Sequence, residues 1–260
     1  MTWGSLLLSA STFALGFCMA RVSLCAVATV RALVAHRQVS GVGALAVAAS
    51  AAGVVLVGVA LLRDSGTMVL GPGISRQLAL SGVLLGLGAL LNGGCYLSSV
   101  TYIGTGNFHY LLTLAGFAMV ARYAQSGSSQ QLTDAQPFAP LLAGLTIFAV
   151  TTLLASWRWQ RERSSAPPVR WRGRWPWPFA ALACGGCAAA VNLQYPNWSY
   201  SKLLEAFATH GASALNANIV LPALAIFAGA ISSSMLAGQF HWARLSVLKS
   251  ARCLCGGVLM

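Results

Sequence analysis

The stretch Leu90-Leu91-Asn92-Gly93-Gly94-Cys95-Tyr96-Leu97-Ser98-Ser99, followed by Gly104-Thr105-Gly106-Asn107, decides how this chain is read. It breaks an apolar helical run with paired glycines, and the cysteine held there is a candidate contact for something crossing a bilayer. The surroundings support that setting: 57% of the 260 residues are hydrophobic and 8% are charged, with a mean hydropathy of +0.71. The expectation is an all-α, polytopic membrane protein forming one transmembrane domain, residues 1–260. That length accommodates several spans of about 20 residues each.

The net charge of +12 sits in the loops. Arg31 and Arg37 follow the first apolar run, Arg158 to Arg174 a middle one, and Arg244, Lys249 and Arg252 flank the last. The positive-inside rule makes these loops cytoplasmic. The stretches Arg63 to Gln77, Arg122 to Gln136 and Gln194 to Ser213 hold three of the four acidic residues and face outward. Trp157, Trp159, Trp171, Trp175 and Trp177 among the arginines read as interfacial anchors, so the lipid bilayer and not nucleic acid is the expected partner of this basic loop. The N-terminus has no basic region or cleavage site and does not read as a cleaved signal peptide.

Apolar segments near Ser5 to Ala35, Gly41 to Leu62, Phe138 to Trp157, Trp177 to Leu193 and Ala214 to Leu236 are span candidates, since none has the polar face of a soluble helix. Leu78 to Leu91 and Phe108 to Ala121 are shorter, 14 residues each, or about 21 Å of a core about 30 Å thick. They read as re-entrant helices flanking irregular backbone from Asn92 to Asn107, which survives at that depth only against protein or a water-filled cavity. Arg21, in the middle of Ser5 to Ala35, is costly in a continuous span, so that segment is expected to break as well. The charge-based orientation gives inverted halves: an N-terminal repeat, residues 1–157, an Arg/Trp-rich cytoplasmic linker, 158–176, and a C-terminal repeat, 177–260. Inverted halves with interrupted helices are a common build of secondary transporters.

Seven cysteines, Cys18, Cys25, Cys95, Cys184, Cys187, Cys253 and Cys255, lie in or beside apolar segments, so structural disulfides are not expected. Cys184-Gly185-Gly186-Cys187 has the spacing of a metal half-site without further ligands, and no metal or cofactor is expected. On a continuous helix Cys18, Arg21 and Cys25 would share one stripe, placing a thiol near a cation. Cys95 follows Gly93 and Gly94, which would let a ligand approach the backbone, and a helix starting there would offer free N–H groups to an anion. A neutral thiol donates a weak S–H hydrogen bond, so Cys25 and Cys95 fit reversible contacts to an anion, while a thiolate would repel it. Asn92 and His109 are the candidate cavity-lining side chains. With four acidic residues in all, acid–base catalysis has little material.

The elements Gly16-Phe17-Cys18-Met19-Ala20-Arg21-Val22-Ser23-Leu24-Cys25 and Gly86-Leu87-Gly88 with Gly93-Gly94-Cys95 resemble those of the YeeE/YedE sulphur-transport family of bacterial inner-membrane proteins. The resemblance covers roughly Phe13 to Arg122. It implies an inverted-repeat fold with short helices entering from both sides, and uptake of thiosulfate through successive thiol contacts, two of them Cys25 and Cys95. A cytoplasmic sulphur-carrier or rhodanese-like protein is the partner it suggests. Against that pattern the chain reads as C-terminally truncated, and Cys253 or Cys255 is the candidate third contact. The expected function is thus a multi-pass inner-membrane permease and not an enzyme. The alternative is a membrane redox or sulphur-transfer enzyme using cysteine persulfide or disulfide chemistry. A structural subunit dependent on a partner is a third reading.

Overall fold

The computed structural model describes residues 3–22, 25–37, 40–62, 67–68, 76–124, 136–137, 150, 175, 177–195, 198–211, 217–244 and 246–260. Ten α-helices occupy these described residues. They are α1 (Trp3–Val22), α2 (Ala26–His36), α3 (Ser40–Leu62), α4 (Arg76–Asn92), α5 (Tyr96–Gly104), α6 (Tyr110–Ala124), α7 (Trp177–Gln194), α8 (Tyr200–His210), α9 (Ala217–Leu236) and α10 (Val247–Leu259). The protein is an all-α polytopic membrane protein. By length and composition, the stretches Trp3–His36, Gly41–Val59 and Ala79–Gly104 can cross a bilayer. The expected span Phe138 to Trp157 and the linker 158–176 fall outside the described residues, save Val150 and Trp175.

The lipid-facing character is plain on α4, where Leu80, Val83, Leu85, Leu87 and Leu90 are exposed along one helix. In water so large an apolar face would be a liability; in lipid it costs nothing. Hydroxyl side chains of α1 bond one turn back: the Ser9 hydroxyl donates to the Ser5 carbonyl at 2.8 Å and the Thr12 hydroxyl to the Leu8 carbonyl at 3.0 Å. Such back-bonding lets serine and threonine sit at membrane depth.

Helix α1 packs along α9 and α7, α3 along α7, α5 along α9, and α6 against α8. Small residues set the separations, as expected where lipid offers no hydrophobic drive between helices. Gly16 of α1 lies against the Ile226 backbone of α9, and Gly229 of α9 against the Phe13 backbone of α1. The buried core between them includes Met19, Val100, Ile103, Leu114, Ile226 and Ala230. Helix α10 is wedged between α4 and α6, where Gly256 faces Gly88 and Asn92 while Gly257 meets the Thr113 backbone.

Several expectations are met and others corrected. The break after Arg21 is present: α1 ends at Val22 and α2 begins at Ala26. The continuous stripe of Cys18, Arg21 and Cys25 therefore does not exist, because Cys25 heads a new helix. The irregular backbone expected from Asn92 to Asn107 contracts to Gly93–Cys95 and the turn 105–109, with α5 filling the rest. The outward stretch Gln194 to Ser213 contains α8, which packs on α6. A two-residue antiparallel ladder pairs Thr67 with Pro137 and Met68 with Gln136. It joins two loops that charge had assigned to the same, outer side.

Candidate functional site

The break at Gly93 is a helix stop of defined geometry. Gly93 has φ +73°, its N–H donates to the Leu90 carbonyl at 3.2 Å, and the Gly94 N–H donates to the Ala89 carbonyl at 3.1 Å. That pair of bonds is the Schellman closure, which satisfies two orphan carbonyls of α4 and favours glycine in the left-handed position. Gly94 has a different reason: a Cβ there would stand 2.7 Å from the Ser98 hydroxyl and 2.7 Å from the Tyr102 ring. The space in the Cβ direction of Gly94 is thus filled by the Ser98 and Tyr102 side chains. Asn92 braces the turn, its Nδ2 donating to the Gly94 carbonyl at 2.9 Å and its Oδ1 accepting from the Thr113 hydroxyl at 2.8 Å.

The turn delivers Cys95 to the N-cap of α5, with extended backbone at φ −75°, ψ 167°. Cys25 holds the same position on α2, at φ −131°, ψ 114°. The two thiols are neighbours, with the Ser98 hydroxyl and the Ala26 N–H, the first of α2, beside them. Two short helices therefore present their N-termini to one point. The first turn of a helix leaves N–H groups without intrahelical partners and carries partial positive charge, so the convergence is suited to an anion.

Beside the thiols lies a cavity of about 360 Å³. Asn92, His109 and Cys253 form its buried floor, Tyr102 and Tyr110 line its wall, and Arg31, Lys249 and Arg252 stand exposed around it. Tyr102 and Tyr110 stack with centroids 4.5 Å apart, and the Tyr102 hydroxyl is also within reach of the Cys25 thiol. Cavity and thiol pair thus share a wall.

His109 lines this space and is anchored there at both nitrogens. Its Nε2 lies 3.1 Å from the Arg244 carbonyl and its Nδ1 3.2 Å from the Ser250 hydroxyl. A carbonyl only accepts, so Nε2 donates to it, and Nδ1 is paired with the Ser250 hydroxyl. Backbone bonds from His241 N–H to Thr105 O and from Ala243 N–H to Gly106 O extend the same clasp. His109 fixes the start of α10, and with it Lys249, Arg252 and Cys253, against the α5–α6 turn.

Arg21 takes another position. It is buried, with its guanidinium 5.2 Å from the Phe17 ring centroid and 6.0 Å from that of Trp175, and it is not among the residues lining the cavity. Cys18 is in reach of Cys187 on α7, forming a second thiol contact away from any helix start. Cys255 is exposed while Cys253 is buried beside Thr113. Sequence reasoning missed Arg31, Lys249 and Arg252 as one group, because they reach the cavity from helices more than 200 residues apart. A family model described as sulphur transport matches residues 21–260 of the chain. No curated protein matches it.

Proposed function

The chain belongs to the sulphur-transport family, and on that premise we propose that it is a multi-pass permease of the bacterial inner membrane carrying a small sulphur-containing anion, thiosulfate by preference. The observation that carries this reading is the meeting of Cys25 and Cys95 at the N-termini of α2 and α5. Oxyanion oxygens are served there by first-turn N–H groups, which have no intrahelical partner. A terminal sulphur is served by two polarizable thiols that donate weak hydrogen bonds and form no covalent bond.

Passage is then a sequence of reversible contacts with Asn92 and Gly93 framing the turn and His109 holding the cavity in register. Of the two candidates for a third contact, Cys253 fits better than Cys255, since it lies on the cavity floor. Arg21, seated on aromatic rings, acts in this scheme by holding the end of α1 beside the break. The two halves act as inverted repeats, and a cytoplasmic sulphur-carrier or rhodanese-like protein receives the anion.

The test is growth on thiosulfate as sole sulphur source in a bacterium lacking its own importers. The intact chain should restore growth and the Cys95→Ala form should not; equal growth from both, with both inserted, would refute the role given to Cys95. The contact between Cys18 and Cys187 favours a second reading, a membrane sulphur-transfer or redox enzyme. That reading requires a persulfide or disulfide at those residues after exposure to substrate, which mass spectrometry of the intact chain would detect.

A further inference from the structure

The cavity and the thiol pair differ in what they can recognise. Arg31 projects from α2, while Lys249 and Arg252 are three residues apart on α10 and share one face. No aspartate or glutamate lines the cavity among the described residues. At about 360 Å³, it holds a tetrahedral oxyanion with several waters, each water occupying about 30 Å³. Guanidinium forks bind planar pairs of anionic oxygens, and the lysine acts as a mobile point charge. The Tyr102 and Tyr110 walls and Asn107 add hydroxyl and amide groups. The amide of Asn92 and both ring nitrogens of His109 are engaged with protein partners, so these two hold shape. Cys253, the thiol lining this space, is itself within reach of Thr113.

We infer that the cavity ringed by Arg31, Lys249 and Arg252 is an oxyanion chamber separate from the Cys25–Cys95 pair, holding a doubly charged anion through its cations, and that it binds sulfate as well as thiosulfate. Every cation there meets oxygen atoms, and sulfate and thiosulfate each present at least three. Discrimination between them falls to the thiols beyond Tyr102. Sulfate is accordingly a ligand of the chamber but not cargo. The inference rests on the permease reading for its choice of ligand, while sulfate binding itself is independent of transport.

The experiment is calorimetric titration of the purified full chain in lipid nanodiscs with sodium sulfate, with nitrate as the monovalent comparator. Sulfate should bind and nitrate should bind at least about tenfold more weakly. Arg252→Gln and Lys249→Gln should each weaken sulfate binding about tenfold, since charges around one cavity act well inside the screening length of about 8 Å at physiological salt. Arg37→Gln removes one positive charge from the end of α2 outside the cavity lining and should leave the titration unchanged. Thermal melting of each variant shows that it is folded. Absence of sulfate binding by the folded chain, or binding that survives the Arg252→Gln/Lys249→Gln double variant, overturns the inference. If sulfate binds through these cations and the chain does not support growth on thiosulfate, the chamber stands and the permease reading falls. Thiosulfate-dependent growth without sulfate binding overturns the chamber and leaves the permease reading in place.

Discussion

Two thiol contacts occur in this molecule, and they are chemically alike but differently placed. Cys25 meets Cys95 where two helices begin, beside an open cavity ringed by cations. Cys18 meets Cys187 between the bodies of α1 and α7, within the packed core. In the helix interior each backbone N–H is committed to a carbonyl four residues back, so the second pair has only its own S–H groups to offer. The first pair has N–H donors as well. On the proposed reading, it is the helix starts around the first pair, and not the proximity of its thiols, that suit it to an anion.

The comparison can be broken most forcefully at Cys95. Cys95→Ala should lower thiosulfate uptake at least about a hundredfold, a transition-state cost of about 2.7 kcal/mol, whereas Cys187→Ala should leave uptake within about twofold. Radiolabelled uptake into proteoliposomes measures both, and equal losses would erase the distinction. Gly93→Ala forces a side chain into a left-handed backbone, an effect of roughly 1–2 kcal/mol. It should lower the melting temperature and uptake together by mispointing α5. Asn92→Ala removes partners from the Gly94 carbonyl and the Thr113 hydroxyl, destabilising by about 1–3 kcal/mol. Uptake should fall severalfold with the chain still inserted, and a silent Asn92→Ala would mean that the turn is held by its glycines alone. The smallest effect is expected at Cys255, exposed on α10, where Cys255→Ala should change neither melting nor uptake measurably.

Much of this architecture is legible in the residues. A buried arginine in a long apolar run announces the break between α1 and α2, and the glycine pair announces the stop of α4, because both violate what a continuous lipid-facing helix tolerates. The cysteines after those breaks stand out for the same reason. The tight closure at Gly93 is less legible: irregular backbone over sixteen positions and a three-residue turn followed by a nine-residue helix carry the same polar and glycine signals. The partners of His109 lie 135 and 141 residues away, and no local pattern encodes such pairings. Arg31, Lys249 and Arg252 look like ordinary positive-inside loop charges until α10 is packed between α4 and α6. The stripe through Cys18, Arg21 and Cys25 fails because a break in a helix also breaks its periodicity.

The central claim is that the anion passes between Cys25 and Cys95 and not past Cys18 and Cys187. Its most direct test is maleimide labelling of the reduced, membrane-inserted chain with and without saturating thiosulfate, with modification read residue by residue by mass spectrometry. The account predicts that thiosulfate slows labelling of Cys25 and Cys95 and leaves Cys18 and Cys187 unchanged. Protection of Cys18 and Cys187 with none at Cys25 and Cys95 would contradict it.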